Sequence, residues 1–376
     1  DGRASVKALP RAAVKHSRDV ARIDPRIGAL NATLSARGAT VRTLLDSASA
    51  GLNGKDIRLT IPFAGDRREV RLRSVSVSSD RAQAAQASAA GTLAGEPVEV
   101  DLAAGSLVDL LEDRTWTVKR LRARVGAVRG EASGRIERPL RDRSAALDFE
   151  LDVSRLDRLA PLVGEATLPR MPAMVRGSIV SDAGAWLIQA EAFAVGETRG
   201  KGHVAVKRGA PVDVALDLQE LAADGFAELT KSSRSPPERG VVSTFPELDV
   251  SLKAAKARYA GQKFDAVTLQ ARLRAGALRA PFSFGWAGGR IEGTLDAKLA
   301  ADAVRVEGEA AASGLEVGRL PGPPGSRGVT GRIGRLTARI ESSGGSMDAL
   351  ARNAGITVEL SDAKVMLPKS GRLPQG

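Results

Sequence analysis

The chain of 376 residues contains no cysteine and only two histidines, His16 and His203. Without cysteine it has no disulfide framework, no thiolate nucleophile and no sulfur ligands for zinc. No HExxH zinc motif and no G-x-S-x-G nucleophile motif occurs in the sequence. Because no motif that assembles a nucleophile, a base or a metal site is found, we expect a protein that is not an enzyme, with no catalytic residues, no metal site and no cofactor.

Aromatic residues are also scarce, at 3% of the chain, with three Trp and one Tyr. A deep core filled with aromatic rings is therefore not expected, and the many Ala and Val residues favour a thin apolar layer instead. Proteins that bind single-stranded nucleic acid stack bases on aromatic side chains, and no Trp or Tyr here lies within a basic cluster. We therefore expect no nucleic-acid partner.

The net charge is nevertheless strongly positive, at +12 with a pI near 10.4. A polyanion such as an acidic membrane surface or lipopolysaccharide is a candidate partner for a chain of this charge. The alternative is that Arg and Lys simply occupy a solvated face. The sequence does not identify which basic residues would meet an anionic surface.

Long apolar runs are absent, since no stretch of 18 or more apolar residues occurs. No segment is therefore predicted to cross a membrane as a helix. The first residue is Asp1 rather than Met. If the protein has an N-terminal membrane anchor, we expect it to lie upstream of Asp1.

The chain does contain many short runs in which apolar and polar residues alternate. A spacing of two places every apolar side chain of a run on one face of a β-strand. The apolar residues of four such runs are the candidates for a binding surface: Leu147, Phe149, Leu151 and Val153; Leu248, Val250 and Leu252; Phe282, Phe284 and Trp286; and Leu295 and Leu299.

The density of these runs predicts a mainly β fold built as an elongated, curved antiparallel sheet with a groove- or taco-like form. Sequential strands are close together, which favours antiparallel pairing because parallel crossovers need a dozen or more residues. A few short helices are predicted at strand connections, after the possible N-caps Thr40, Ser106, Ser154 and Ser346. We predict that residues 1–230 and 245–376 form two parts of one sheet, joined by a flexible loop at 231–244.

Two glycine-containing stretches resemble nucleotide-binding motifs. Residues 200–205 (GKGHVA) match G-x-G-x-x-A, and residues 51–56 (GLNGKD) resemble a phosphate loop. A dinucleotide site requires such glycines to end a strand and open a helix, whereas residues 204–207 have a strand pattern. We therefore predict that both stretches form turns.

An apolar sheet face of this length cannot remain in water. It can pack against a second sheet, curl so that it covers itself, or hold acyl chains, each of whose CH₂ groups gains about 0.8 kcal/mol on burial. Low aromatic content fits a lipid groove, because large rings would block it. The residues alone leave these alternatives open.

Four segments in order resemble the AsmA-like family. Four features are shared. They are a strand followed by a Gly-Ser-Leu turn, a strand followed by a Leu-x-x-Leu segment with proline, a Trp-containing hairpin, and a Gly-rich C-terminal core. They are found at residues 100–111 (VDLAAGSLVDLL), at 147–151 (LDFEL) with 156–162 (LDRLAPL), at Trp186 with 195–202 (VGETRGKG), and at 266–269 (AVTL) with 278–282 (LRAPF) and 287–293 (AGGRIEG). The resemblance extends over about residues 30–365.

The resemblance implies a periplasmic protein of the Gram-negative cell envelope, anchored to the inner membrane by a segment that this chain lacks. It implies binding or conduction of phospholipid, or of another acyl-chain lipid, along the β groove between the inner and outer membranes. In this interpretation the twelve candidate residues face lipid, and other envelope proteins are further partners. The alternative function is a scaffold or chaperone-like factor for outer-membrane protein assembly, which would require an exposed edge strand that can pair.

Overall fold

The computed structural model describes residues 2–7, 26–37, 39–40, 43, 49–63, 66–80, 84–141, 144–160, 168–182, 184–226, 247–299, 304–321, 329–345 and 347–366. Strands make up 76% of these residues. The predicted loop at 231–244 and His16 lie outside the described residues. The chain divides into two compact units, Asp1–Gly196 and Glu197–Gly376.

The first unit is an antiparallel meander in which each strand pairs with the next along the chain. It contains one short helix, α1 (Leu107–Leu111), and a 3-10 turn at Leu156–Leu159. Its strands are β1 (Gly2–Lys7), β2 (Arg26–Ala36), β3 (Ser49–Phe63), β4 (Asp66–Asp80), β5 (Ala85–Leu93), β6 (Glu96–Ala104), β7 (Trp116–Val125), β8 (Val128–Glu137), β9 (Ser144–Val153), β10 (Ala173–Asp182) and β11 (Ala185–Val195).

The second unit repeats this organisation with one parallel pair, β13 with β14. It contains the helix α2 (Met347–Arg352) and 3-10 turns at Ala223–Phe226 and Val317–Arg319. Its strands are β12 (Thr198–Val206), β13 (Val212–Ala222), β14 (Leu248–Tyr259), β15 (Gln262–Arg274), β16 (Ala277–Trp286), β17 (Gly289–Leu299), β18 (Val304–Glu316), β19 (Thr330–Gly344) and β20 (Gly355–Met366).

The predicted mainly β, antiparallel fold with few short helices is confirmed. The parallel pair has a simple cause: residues 223–247 separate β13 from β14, and this connection is long enough for a crossover. Arg274 holds the start of β14 through its guanidinium, which donates to the carbonyl of Leu248 at 3.1 Å and to Asp249 at 2.6 Å.

The predicted helix caps have different outcomes. Ser106 caps α1, because its hydroxyl accepts a hydrogen bond from the Asp109 amide at 3.1 Å. The Thr40 hydroxyl likewise accepts from the Thr43 amide at 3.2 Å. Ser154 is not a cap: the 3-10 turn after it begins at Leu156, and the N-cap is Arg155 without a side-chain hydrogen bond. Ser346 lies outside the described residues.

Four hairpins turn on the dipeptide Ala-Gly, with positive φ at both central residues: Ala94–Gly95, Ala260–Gly261, Ala275–Gly276 and Ala287–Gly288. Such turns match the right-handed twist of the flanking strands, and they usually contain Asn-Gly or Asp-Gly. An alanine in the left-handed region brings its Cβ close to the following carbonyl, which costs about 1–2 kcal/mol. The positive φ of the alanine in these turns could not be read from the sequence.

Replacing the four turn alanines by asparagine (A94N/A260N/A275N/A287N) should stabilise the protein, because asparagine enters the left-handed region more readily. We expect a higher unfolding temperature, equivalent to a few tenths of a kcal/mol to about 1 kcal/mol per turn. Ala277→Asn is the control, since Ala277 is an exposed strand residue without positive φ. An unchanged or lower unfolding temperature in the fourfold variant, measured by circular dichroism, would contradict this account of the turns.

Candidate functional site

One face of the first unit is apolar from strand to strand. Residues directly opposite each other in paired strands lie on the same face, so the register identifies rows that cross the sheet. A row from β2 to β11 contains only apolar residues and glycine: Ala32, Leu52, Val77, Ala87, Leu102, Leu121, Ala132, Phe149, Gly177 and Ala190. We call this side of the sheet the apolar face of the first unit.

The second unit has an apolar face of the same kind. Its row from β12 to β20 again contains no polar side chain: Gly202, Leu216, Leu252, Leu269, Phe282, Gly293, Ala310, Ala338 and Val358. The neighbouring row, one residue away along each strand, lies on the opposite, polar face and contains Lys201, Asp217, Lys253, Thr268, Ser283, Glu292, Ala311, Thr337 and Glu359.

All twelve candidate residues lie on these apolar faces. Leu147, Phe149, Leu151 and Val153 belong to the first unit, opposite Gly134, Ala132, Gly130 and Val128 of β8. The other eight, from Leu248 to Leu299, belong to the second unit. Sequence reasoning omitted residues of the same rows, among them Leu52, Leu102, Leu121, Leu216 and Leu269. Their strands also alternate, so the same signal could have found them.

No described residue forms a second layer deep enough to bury this face. None of the described aromatic side chains is buried, and half of the buried apolar residues are alanines. Trp186 and Ile188 on β11 are exposed at 50% and 37%, and Ile356 on β20 at 65%. One local core, of Ala312, Leu315 and Ile333, lies toward one end of the second unit. In a sheet sandwich, by contrast, large apolar side chains fill the space between the layers.

Glycines explain how large side chains are half-buried on an uncovered face. A Cβ on Gly293 would lie 2.6 Å from the Phe282 ring, so this ring lies over the glycine of the neighbouring strand. A Cβ on Gly202 would lie 2.8 Å from the Leu216 side chain, and one on Gly54 would lie 2.7 Å from that of Ile57. The large residues therefore lie along the sheet rather than projecting from it.

The same contacts correct two predictions. Residues 200–205 and 51–56 were expected to form turns, but they lie inside β12 and β3. Their glycines accommodate Leu and Ile side chains from opposite or nearby positions. The sequence pattern failed here because glycine in a strand also serves close packing, which local turn signals do not distinguish.

A cluster of rings marks the apolar face around β15 and β16. Phe264 contacts Phe284 edge to face at 5.5 Å between centroids, and it stacks with Trp286 at 6.4 Å. Phe282 and Phe284 stack at 6.0 Å. These rings are half-buried, so part of each ring remains exposed as an apolar surface.

The polar faces contain paired charges. Arg122 contacts Glu131 at 2.9 Å, Lys201 contacts Asp217 at 3.5 Å, and Arg339 pairs with Glu309. These pairs are solvent-exposed, and such pairs contribute little to stability, about 0–1 kcal/mol each. His203 also lies here, with Nε2 3.0 Å from Asp213 Oδ2.

A hollow of about 1310 Å³ lies on the polar face of the second unit, across β15 to β20. Its lining includes Arg279, Arg290, Arg339, Glu292 and Glu309. Each of these arginines pairs with a carboxylate, the Arg279–Asp296 distance being 4.0 Å. Because arginine and glutamate side chains line this hollow together with apolar ones, it is poorly suited to acyl chains, and the apolar face is the stronger candidate for the binding surface.

Among the described residues, no group of three or more His, Asp or Glu side chains is arranged to hold a metal ion. Within the same part of the chain, none of the helices has the length and apolar character needed to cross a bilayer.

The phase of the alternation changes at several places without moving the apolar face. In β4, Leu72 and Val75 both lie on it, because the register with β5 shifts between Leu72 and Ser74. The sequence shows the same change of phase, since Val70 and Leu72 are followed by Val75 and Val77. At these points the facing strands change phase together. Asp56 of β3, with φ 52°, lies opposite Gly28 of β2. A Cβ on Gly28 would lie 3.0 Å from the Cβ of Asp56.

No family model, curated protein or solved structure matches the chain. The two faces, and the residues that resemble the AsmA-like family, are therefore the features that bear on function.

Two glycines of β8 test how tightly the strands behind the apolar face are packed. A Cβ on Gly134, which has φ 146°, would lie 2.2 Å from the Ala146 carbonyl oxygen, whereas the nearest atom to a Cβ on Gly130 is 3.5 Å away. We expect Gly134→Ala to lower the free energy of unfolding by about 1–3 kcal/mol, because the backbone must move. Gly130→Ala, on the same strand and face, should change it by less than about 0.5 kcal/mol. Equal effects in chemical denaturation would show that the contact at Gly134 is not a constraint.

Proposed function

We propose that this chain is an AsmA-like periplasmic protein that binds phospholipids along its apolar β faces and supports transfer of lipid between the inner and outer membranes. The observation that carries the proposal is the apolar row across each unit, whose large side chains no described residue fully covers. The resemblance to the AsmA-like family supports acyl chains as the cover. The proposal includes no enzymatic step, no metal and no nucleic-acid partner.

Acyl chains fit the chemistry of these faces. Each CH₂ removed from water contributes about 0.8 kcal/mol, so a chain lying along several strands is held without any specific contact. Half-buried leucines and rings lying flat over glycines form a low surface on which a chain can lie. The absence of polar side chains from the two rows leaves no group that would stop a lipid from sliding.

The polar faces supply the complementary property. Exposed ion pairs such as Arg122–Glu131 keep the opposite side of each sheet in water. A sheet with one charged and one apolar side presents lipid tails with only one suitable surface. This two-sided organisation supports lipid binding more than a general adhesive role, which would require no such separation.

Leu252 and Ser251 are consecutive residues on opposite faces of β14, and they provide a matched test. Leu252 lies between Leu216 and Leu269 on the apolar row, whereas Ser251 lies opposite Gln270 on the polar face. We expect Leu252→Asp to weaken binding of a labelled phospholipid to delipidated protein by about tenfold or more, because a carboxylate must be desolvated under the tails. Ser251→Asp should bind like the unsubstituted protein.

Circular dichroism of both variants checks that the sheet persists. Strand pairing should survive because Leu252 lies on a face without a packed second layer. Absence of saturable phospholipid binding in the unsubstituted protein would overturn the proposal, as would equal loss in the two variants.

A second function, a scaffold for outer-membrane protein assembly, is favoured by one observation. Strand β20 pairs only with β19 among the described strands, and all twelve of its residues are exposed. It presents Ile356, Val358 and Leu360 without the usual protection of an edge by proline or burial. Such an edge can accept a strand from another protein.

Photo-cross-linking separates the two functions. A photoreactive amino acid at Leu252 samples the centre of the apolar face, and one at Val358 samples the edge strand. We expect the Leu252 position to yield a phospholipid adduct, identified by mass spectrometry, with the Ser251 position as the matched control. Adducts to an outer-membrane protein at Val358, together with no lipid adduct at Leu252, would favour the scaffold instead.

A further inference from the structure

A row of three arginines with a single carboxylate partner crosses the polar face of the first unit. Arg26 of β2 lies directly opposite Arg58 of β3, which lies directly opposite Arg71 of β4. Neighbouring strands are about 4.8 Å apart, so the three residues span about 10 Å of the sheet. The row ends at Thr92 of β5, which carries no charge.

Little in the described part of the chain neutralises this row. Arg71 contacts Glu69 at 2.8 Å, whereas no ion pair is found there for Arg26 or Arg58. The hydrogen bond from Arg71, and then the charges of Arg71, Arg58 and Arg26, hold the pKa of the Glu69 carboxyl below its ordinary value. All three arginines are exposed to solvent. Like charges directly opposite each other in a sheet are destabilising, so this row has a cost in the isolated protein.

The contrast with β6 to β9 shows that this is a local feature. There Arg124 lies opposite Arg129, but Glu99 and Asp152 lie opposite them on the outer sides. Arg122 lies between Asp101 and Glu131 in the same way. In these rows carboxylates lie directly opposite the arginines, whereas the β2–β4 row has none opposite and only Glu69 beside Arg71.

We propose that the row of Arg26, Arg58 and Arg71 docks the protein on the anionic surface of a lipid bilayer, through the phosphate groups of the lipid head groups. This inference rests on the proposed function, because it identifies the part of the protein that meets the membrane. Guanidinium groups bind phosphate oxygens with paired hydrogen bonds, and they remain charged at all physiological pH values. The described aromatic side chains lie on the apolar faces, so this polar surface has no platform for stacking nucleotide bases.

Co-sedimentation with vesicles tests the proposal. The unsubstituted protein should bind vesicles of phosphatidylcholine mixed with phosphatidylglycerol, and it should bind pure phosphatidylcholine vesicles much more weakly. Each basic residue at an anionic surface contributes about 1 kcal/mol, so the variant R26S/R58S/R71S should lose about 100-fold in affinity. Binding should fall as salt is added, since ions screen this attraction.

The matched control is R122S/R124S/R129S, which removes three neighbouring arginines from the same face of the same unit and changes the net charge equally. We expect a loss below about fivefold, because these arginines are already compensated by carboxylates. A second variant, R26K/R58K/R71K, keeps the charge and should retain most of the affinity. Both serine variants are checked by thermal unfolding, and removal of the like-charged row should not lower the unfolding temperature.

Three results would overturn the inference: equal losses in the two serine variants, salt-independent binding, or tighter binding of duplex DNA than of anionic vesicles. The outcome is separable from that of the proposed function. Suppose that R26S/R58S/R71S loses vesicle binding but still binds labelled phospholipid, and that Leu252→Asp keeps vesicle binding but loses labelled phospholipid. The polar face then docks on the bilayer and the apolar face binds acyl chains, as proposed. If no phospholipid binds the delipidated protein, the lipid-binding proposal fails while vesicle docking is still decided by the serine variants.

Discussion

The constraint on which the structure depends is cross-strand register. Because side chains alternate with a period of two, a slip of one residue in any strand would transfer its whole apolar set to the polar face. Ten strands of the first unit and nine of the second keep one row of apolar residues in line. Where the alternation changes phase, as at Asp56 and Ala266, a residue with positive φ absorbs the extra position and the face is preserved.

The same constraint limits how stability is achieved. With few deeply buried large side chains, the sheet depends on its ladder hydrogen bonds and on lateral packing along one face. Glycines such as Gly293 and Gly202 allow this packing, since rings and leucines lie over them rather than against a second layer. Among the described residues, a local core of buried side chains is found around Leu315 and Ile333 in the second unit. Any ligand that covers this uncovered apolar face stabilises the folded protein.

The fold class and the identity of the apolar faces could be predicted from sequence, because alternation is a local property. All twelve candidate residues lie on one or the other face for that reason. The register between strands could not be predicted. The sequence therefore did not show that Leu216 and Leu269 belong to the same row. The prediction of turns at 51–56 and 200–205 is wrong. A strand glycine that makes room for a neighbouring side chain cannot be distinguished from a turn glycine by the local sequence.

Register also changes the meaning of the high positive charge. In the sequence, +12 is a property of the whole chain and predicts only a preference for anions. In the folded protein, most arginines of β7 and β8 lie opposite carboxylates, which cancels their charge locally. On β2–β4 the described side chains include six basic residues and only two acidic ones, Asp56 and Glu69. The excess charge is thus concentrated mainly on one part of a polar face, although Arg68, two residues before Val70, lies on the apolar side of β4. This separation is what the proposed docking on a bilayer surface and the proposed binding of acyl chains on the opposite side both require.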